Sequence, residues 1–122
     1  MTKTIMVVDD STSLRQVVGI SLRAAGYDLI EGSDGLDALT KFDGRKIHLI
    51  ISDLNMPNMD GIGFAKAVKA LPRYKFTPII MLTTESAESK KREGQAAGVR
   101  AWVVKPFKPD VILHAVQKLI LP

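Results

Sequence analysis

The sequence predicts an α/β fold: a parallel sheet with helices covering both faces. Three observations predict it. Short apolar runs alternate with longer amphipathic stretches five times along the 122 residues. The apolar runs are near-continuous, as strands buried on both faces must be. Strands bounded by helices in this way build a parallel sheet, with right-handed crossovers.

Each element has its own signal. Ile5 to Val8 is entirely apolar and partly β-branched, and reads as the first strand. Leu14, Val17, Val18, Ser21, Leu22 and Ala25 follow at helical spacing, and Gly26 stops that helix. Tyr27 to Glu31 is a short second strand. Asp34 caps a helix carrying Ala38, Leu39 and Phe42 that ends near Gly44. His48 to Ser52 is the third strand. Gly61 to Leu71 is the third helix, with Phe64, Ala65 and Val68 inward and Pro72 marking its end. Pro78 to Leu82 is the fourth strand. Ser86 to Ala97 is a weak fourth helix that contains Gly94, lacks any large apolar residue and stops at Gly98. Ala101 to Val104 is the fifth strand. Val111, Ile112, Ala115, Val116, Leu119 and Ile120 mark the last helix.

A chain of this length suits one compact domain, residues 1–122, and buries enough surface to fold without a disulfide or a structural metal. The absence of cysteine excludes a disulfide framework, thiolate metal sites and a cysteine nucleophile. No apolar run approaches membrane-spanning length, and the apolar stretch before Asp9 is too short for a signal-peptide core. The expectation is a soluble cytoplasmic protein with no membrane insertion. The formal net charge of +4 comes from dispersed lysines and arginines. Neither Lys90-Lys91-Arg92 nor the looser set Lys69, Arg73 and Lys75 is interleaved with stacking aromatics, so no nucleic-acid partner is expected.

In an open parallel sheet, ligands bind beyond the carboxyl ends of the strands. Asp9 and Asp10 follow the first strand, Asp53 the third, Thr83 and Thr84 the fourth, and Lys105 with Pro106 the fifth. Crowded carboxylates either take up protons or share a cation. Mg2+ suits an all-oxygen donor set and keeps room for water and phosphate. With Lys105 as a point charge and Thr83 as a hydroxyl donor, the site matches a phosphoryl group, and the nucleophile is a carboxylate. Singly, each residue has a plainer reading. Asp10 or Ser11 could cap the first helix, Asp53 could begin a turn, Thr83 could cap or close a strand, and Lys105 could decorate the surface. Together these readings need four coincidences at four strand ends.

The set Asp9-Asp10, Asp53, Thr83 and Lys105-Pro106 resembles the receiver domains of two-component response regulators. The stretches carrying the resemblance are VVDDS (Val7 to Ser11), DLNMPNMDG (Asp53 to Gly61), LTTE (Leu82 to Glu85) and VVKPF (Val103 to Phe107). The resemblance spans the whole chain, and within the family points to the single-domain chemotaxis (CheY-like) members. It implies a flavodoxin-like (βα)5 doubly wound sheet of strand order 2-1-3-4-5. It makes Asp53 the phosphoryl acceptor. Asp10, Asp53 and the backbone carbonyl of Asn55 become Mg2+ ligands, with Asp9 acting through water and charge, and Thr83 and Lys105 hold the phosphoryl oxygens. A cis Lys105-Pro106 bond is implied as well. Trp102 stands at the switch aromatic, larger than the usual residue, and Thr84 replaces the family's small residue. Asn55 and Glu85 occupy positions that tune phosphoryl lifetime. The implied output face comprises Lys91, Trp102, Val104, Lys108, Ile112 and Lys118.

The implied partners are a histidine kinase (CheA-like) as phosphodonor, a flagellar motor switch protein or another effector, and a phosphatase, with the chain itself a monomer. The protein is not expected to be an enzyme beyond self-phosphorylation and slow autodephosphorylation. A relay or phosphate-sink receiver is the alternative role. An aspartate-nucleophile phosphatase would need a general acid/base two residues after Asp53, where Asn55 cannot transfer a proton. A flavin binder would need a phosphate-cradling loop after the first strand, where Asp9-Asp10 repel phosphate.

Overall fold

The computed structural model describes residues 2–84 and 88–122. Ten elements alternate along it: β1 (Thr4–Val8), α1 (Thr12–Ala24), β2 (Asp28–Gly32), α2 (Gly35–Leu39), β3 (Leu49–Asp53), α3 (Gly61–Lys69), β4 (Ile79–Thr83), α4 (Glu88–Ala96), β5 (Val99–Val104) and α5 (Pro109–Leu119). The five strands form one sheet of order β2-β1-β3-β4-β5, with every pair parallel. This is the expected doubly wound, flavodoxin-like topology.

The strand side chains divide by the pleat, as a period of two requires. Met6, Val8, Ile50, Ile79 and Met81 face one way and meet Ala38 of α2 and Ile62, Phe64, Ala65 and Val68 of α3. Ile5, Val7, Leu49, Ile51, Ile80 and Leu82 face the other way and meet Val18 and Leu22 of α1 and Ile112 and Val116 of α5. β3 and β4 are buried along their whole length, which explains their uninterrupted apolar sequences. Gly26, Gly44 and Gly98 all adopt positive φ, between 94° and 100°, and so end their segments in a conformation that a side chain resists.

Several boundaries move by one residue. β2, β3 and β4 each begin and end one position later than the apolar runs suggest, which places Asp53 and Thr83 inside their strands as last residues. β5 starts earlier, at Val99, because an irregularity opposite Ile79 and Ile80 adds a residue on the β5 side. α2 is short, and Phe42 lies beyond it. Its ring stacks edge-on against Tyr74 at 4.7 Å and Phe64 at 6.0 Å, so the aromatic contact holds the segment where helix does not. Val17 of α1 is 52% exposed; Val18, Gly19 and Leu22 form the buried stripe. Ser86, the expected start of the fourth helix, lies outside the described residues. Among the described residues no helix is long and apolar enough to cross a membrane.

Candidate phosphoryl and metal site

β1 delivers Asp9 to the carboxyl end of the sheet, where its N–H donates to the Gly32 carbonyl at 3.1 Å and extends the ladder by one residue. Ser11, in an extended conformation, caps α1: its Oγ accepts from the Leu14 N–H at 3.3 Å. Its own N–H donates to Asp9 Oδ1 at 2.8 Å. The cap is therefore Ser11, which leaves the exposed Asp10 carboxylate without capping duty. One turn into α1, Arg15 donates from Nη1 to the Asp9 carbonyl, while its Nε lies 3.5 Å from Glu31 Oε1.

β3 ends at Asp53, which is 6% exposed. The chain then turns back: Leu54 N–H donates to the Leu82 carbonyl at 2.9 Å, and Gly61 N–H donates to the Leu54 carbonyl at 2.8 Å. Gly61 starts α3 directly behind Asp53. A Cβ there would stand 2.5 Å from the Asp53 carbonyl and 2.6 Å from Met81 Sδ, so only glycine fits. Asn58 takes a left-handed φ of 69°, which asparagine tolerates better than most residues. Its amide donates to Asp34 Oδ2 at 2.9 Å, tying the β3–α3 loop to the cap of α2. The Asp37 N–H and the Asn58 amide together hold the Asp34 carboxyl below its ordinary pKa.

Thr83 ends β4 and is 1% exposed. Its carbonyl accepts from the Lys105 N–H at 2.8 Å, which brings β5 beside it. Lys105-Pro106 is cis, as the resemblance implies. The Lys105 ammonium reaches across β4 to Asp53 Oδ1 at 2.9 Å and lies 3.6 Å from Asp9 Oδ2.

Asp9, Asp10 and Asp53 each offer a carboxylate oxygen, and these atoms all lie within 4.8 Å of one another. Asp9 Oδ2 is buried and accepts no hydrogen bond. Burial above all, with the neighbouring charges of Asp53 and Asp10, raises the Asp9 pKa; the Ser11 N–H and Lys105 oppose the shift. A buried oxygen with no hydrogen bond in a crowd of carboxylates is the situation a hard divalent cation relieves. The oxygen-only donor set fits such an ion, and Asp9, Asp10 and Asp53 are positioned to hold it.

The remaining expected residues distribute unevenly. Asn55 and Thr84 are exposed on loops at the same end of the sheet. Glu85 lies outside the described residues. On the expected output face, Val104 is 46% exposed, Lys108 and Lys118 are exposed and Lys91 is half-buried. Two corrections apply there. Ile112 is 1% exposed and sits in the core between α5 and the sheet; the neighbouring Val111, at 46%, is the outward residue. Trp102 is half-buried rather than displayed, packed against the core on the α4 side. Its ring occupies the space that a Cβ on Gly94 would need, and its Nε1–H is buried with no hydrogen-bond partner among the described residues.

Sequence reasoning missed Arg15, Asn58, Gly61 and Gly94 as parts of this region. A glycine inside a helical pattern signals close approach by another group, and Gly94 carried that signal. Arg15 carried none, because its partner is a backbone carbonyl.

Comparison with known proteins agrees with this geometry. Residues 5–117 match the family described as the response regulator receiver domain. The chain is 36% identical over 118 residues to chemotaxis protein CheY1 of Helicobacter pylori strain J99, with 95% of each chain covered. It is 34% identical over 116 residues to chemotaxis protein CheY of Pseudomonas aeruginosa, with 94% of each covered. Among solved structures, chemotaxis protein CheY4 of Vibrio cholerae superimposes with a TM-score of 0.94 at 46% identity, covering 98% of this chain and 99% of that one. The family match along nearly the whole length, these identities and the close superposition lead to one conclusion: the chain belongs to the response regulator receiver family and is CheY-like.

Proposed function

We propose that the protein is a phospho-acceptor switch that takes a phosphoryl group on Asp53 in a Mg2+-dependent reaction. The observation that carries this reading is the 2.9 Å contact of Lys105 Nζ with Asp53 Oδ1 inside a cluster of three carboxylates. An Asp53 carboxylate oxygen attacks the phosphorus of a phosphohistidine on a histidine kinase. The donor N–P bond breaks, its electron pair stays on the imidazole, and an acyl phosphate forms on Asp53. Asp10, Asp53 and the Asn55 carbonyl would hold Mg2+, with Asp9 acting through water, and the bound ion would supply charge neutralisation to the phosphoryl oxygens. Lys105 and Thr83 bind the phosphoryl oxygens, and the Lys105 ammonium exchanges its contact with the carboxylate for one with the new dianion.

Output passes to a protein partner through the face of α4, β5 and α5 that presents Lys91, Val104, Lys108, Val111 and Lys118. The charge on Asp53 shifts the population of Trp102 positions, and Thr84 restricts how far the ring moves. The chemotaxis names of the relatives support a flagellar motor switch protein as the effector, a CheA-like kinase as donor and a cytoplasmic setting for one 122-residue domain.

Intact mass after incubation with acetyl phosphate tests the chemistry. A phosphoryl adduct that requires Mg2+ and is absent from Asp53→Asn is the expected result. No adduct from either acetyl phosphate or a phosphorylated kinase, with the fold intact, would overturn it.

A further inference from the structure

The end of the sheet opposite Asp53 carries a second surface feature. Between the carboxyl ends of α3 and α4 lies an open groove of about 460 Å3, lined by Lys66, Lys69, Lys75, Phe76, Ala96 and Gly98 among others. It sits at the amino end of β4, about 13 Å of strand away from Thr83.

Three properties of this groove ask for an anionic partner. Three of its lining residues are lysines (Lys66, Lys69 and Lys75), and no acidic residue lines it. Among the described residues, none of these three cations is in a salt bridge. Lys69 is the most constrained of them. Its stem lies against Gly98 and its ammonium donates to the Thr77 carbonyl at 2.5 Å. Burial, and then the charge of Arg100, lower its pKa, so this cation sits where it lacks a counter-charge.

The groove also presents an apolar anchor. Phe76 is 72% exposed, the most exposed of the large apolar side chains among the described residues, and Lys75 Nζ lies 5.6 Å from its ring centroid. Lysines in the last turn of α3 complement the helix dipole, which accounts for Lys66 and Lys69. It accounts for neither Lys75 nor Arg100, nor for an aromatic ring in solvent beside them.

We propose that this groove docks an acidic protein segment carrying an apolar side chain. The carboxylates of that segment pair with Lys66, Lys69 and Lys75, and its apolar residue covers Phe76. The three lysines and one exposed ring line a single groove between two helix ends, which suits a few residues of peptide. A nucleic-acid backbone needs a longer basic track with successive stacking positions. A membrane surface needs a protruding apolar face with Trp, Phe and Leu together. The groove shares no residue with the Asp53 site, so docking there is separate from phosphoryl transfer.

The test is an amide chemical-shift titration of the whole, unphosphorylated chain with a short synthetic peptide of glutamates flanking two central leucines. The comparison probes are the same peptide with glutamines, an oligothymidylate and phosphatidylglycerol vesicles. The proposal expects shifts centred on Lys69, Lys75, Phe76 and Gly98. It also expects binding at least tenfold weaker in Lys66→Gln/Lys75→Gln and in Phe76→Ser. All three substituted side chains are exposed, so these variants keep the wild-type unfolding midpoint and the wild-type acetyl phosphate labelling of Asp53. Absence of shifts in the groove overturns the proposal, as does equal binding of the glutamine peptide. Tighter binding of the oligothymidylate or the vesicles at the same salt overturns it in favour of a nucleic acid or a membrane.

Discussion

Asp9 is 2% exposed, with one oxygen on the Ser11 N–H and the other on no hydrogen-bond donor at all. Asp9→Asn keeps the first contact and removes a buried charge beside two like charges. Without Mg2+ the variant should gain about 1 kcal/mol of stability from the lost like-charge repulsion of Asp10 and Asp53, net of the lost attraction to Lys105 Nζ at 3.6 Å. Its Mg2+ affinity should fall by roughly tenfold, or about 1.4 kcal/mol. Urea unfolding in a chelator and a Mg2+ titration check the two halves separately. His48 offers a pH handle at the other end of the sheet. It is 8% exposed, and its Nδ1 accepts from the Thr4 N–H at 2.9 Å, which requires that nitrogen to be unprotonated. Burial, followed by the charges of Lys46 and Lys3, lowers its pKa below the ordinary 6.5. The unfolded chain therefore binds the proton more tightly. The stability this gives is complete above pH 6.5 and is lost as pH falls from there through the folded value. His48→Asn keeps an acceptor without titrating, so the unfolding midpoints of wild type and variant should diverge between pH 7.5 and 5.5, the wild type falling further. At this scale the sequence told a great deal about Asp9, Asp10, Asp53, Thr83 and Lys105, because position after a strand and side-chain chemistry coincide there. It told nothing about Arg15, whose part depends on reaching a backbone carbonyl.

The α4–β5 pair is where element-level reasoning meets its hardest case. α4 is polar, has no large apolar residue to anchor it, and holds a glycine in its middle. Propensity alone makes Gly94→Ala stabilising by about 1 kcal/mol. The Trp102 ring occupies the added methyl's place, and such overpacking costs about 1–3 kcal/mol. The expected outcome is a net loss of stability and a displaced Trp102, measured by the thermal midpoint and by the indole N–H resonance. Gly61→Ala should be worse, since the methyl would meet the Asp53 carbonyl itself, and acetyl phosphate labelling should drop with the midpoint. The element sequence was legible because β1, β3 and β4 are short unbroken apolar runs, while α3 repeats its apolar residues at the helical period of 3.6. α5 was harder. Val111 and Ile112 are adjacent apolar residues, and only packing against β5 decides that Ile112 turns inward. In β5 the alternation is disturbed by the extra residue opposite Ile79 and Ile80, which no local pattern announces.

Across the whole molecule, the sheet separates charge. Asp9, Asp10 and Asp53 gather at the carboxyl ends of the strands, while Lys66, Lys69 and Lys75 gather near the amino end of β4. A cation bound only by the native acidic cluster stabilises the entire fold. At a Mg2+ concentration a hundred times its Kd, the gain is about 2.7 kcal/mol. For a domain of this size that raises Tm by roughly 10 °C, and Asp10→Asn should abolish most of the rise in a calorimetric scan. The global topology was readable because five βα repeats permit few arrangements, and the resemblance supplied the strand order. The groove was not readable, because α3 and α4 contribute to it from positions nearly thirty residues apart. Trp102 finally has a practical meaning beyond packing. It is the chain's single tryptophan, half-buried on a helix glycine with its N–H unpaired among the described residues. The intrinsic ultraviolet emission of the unlabelled protein is therefore a one-residue optical probe of the α4–β5 seam, read without any attached dye.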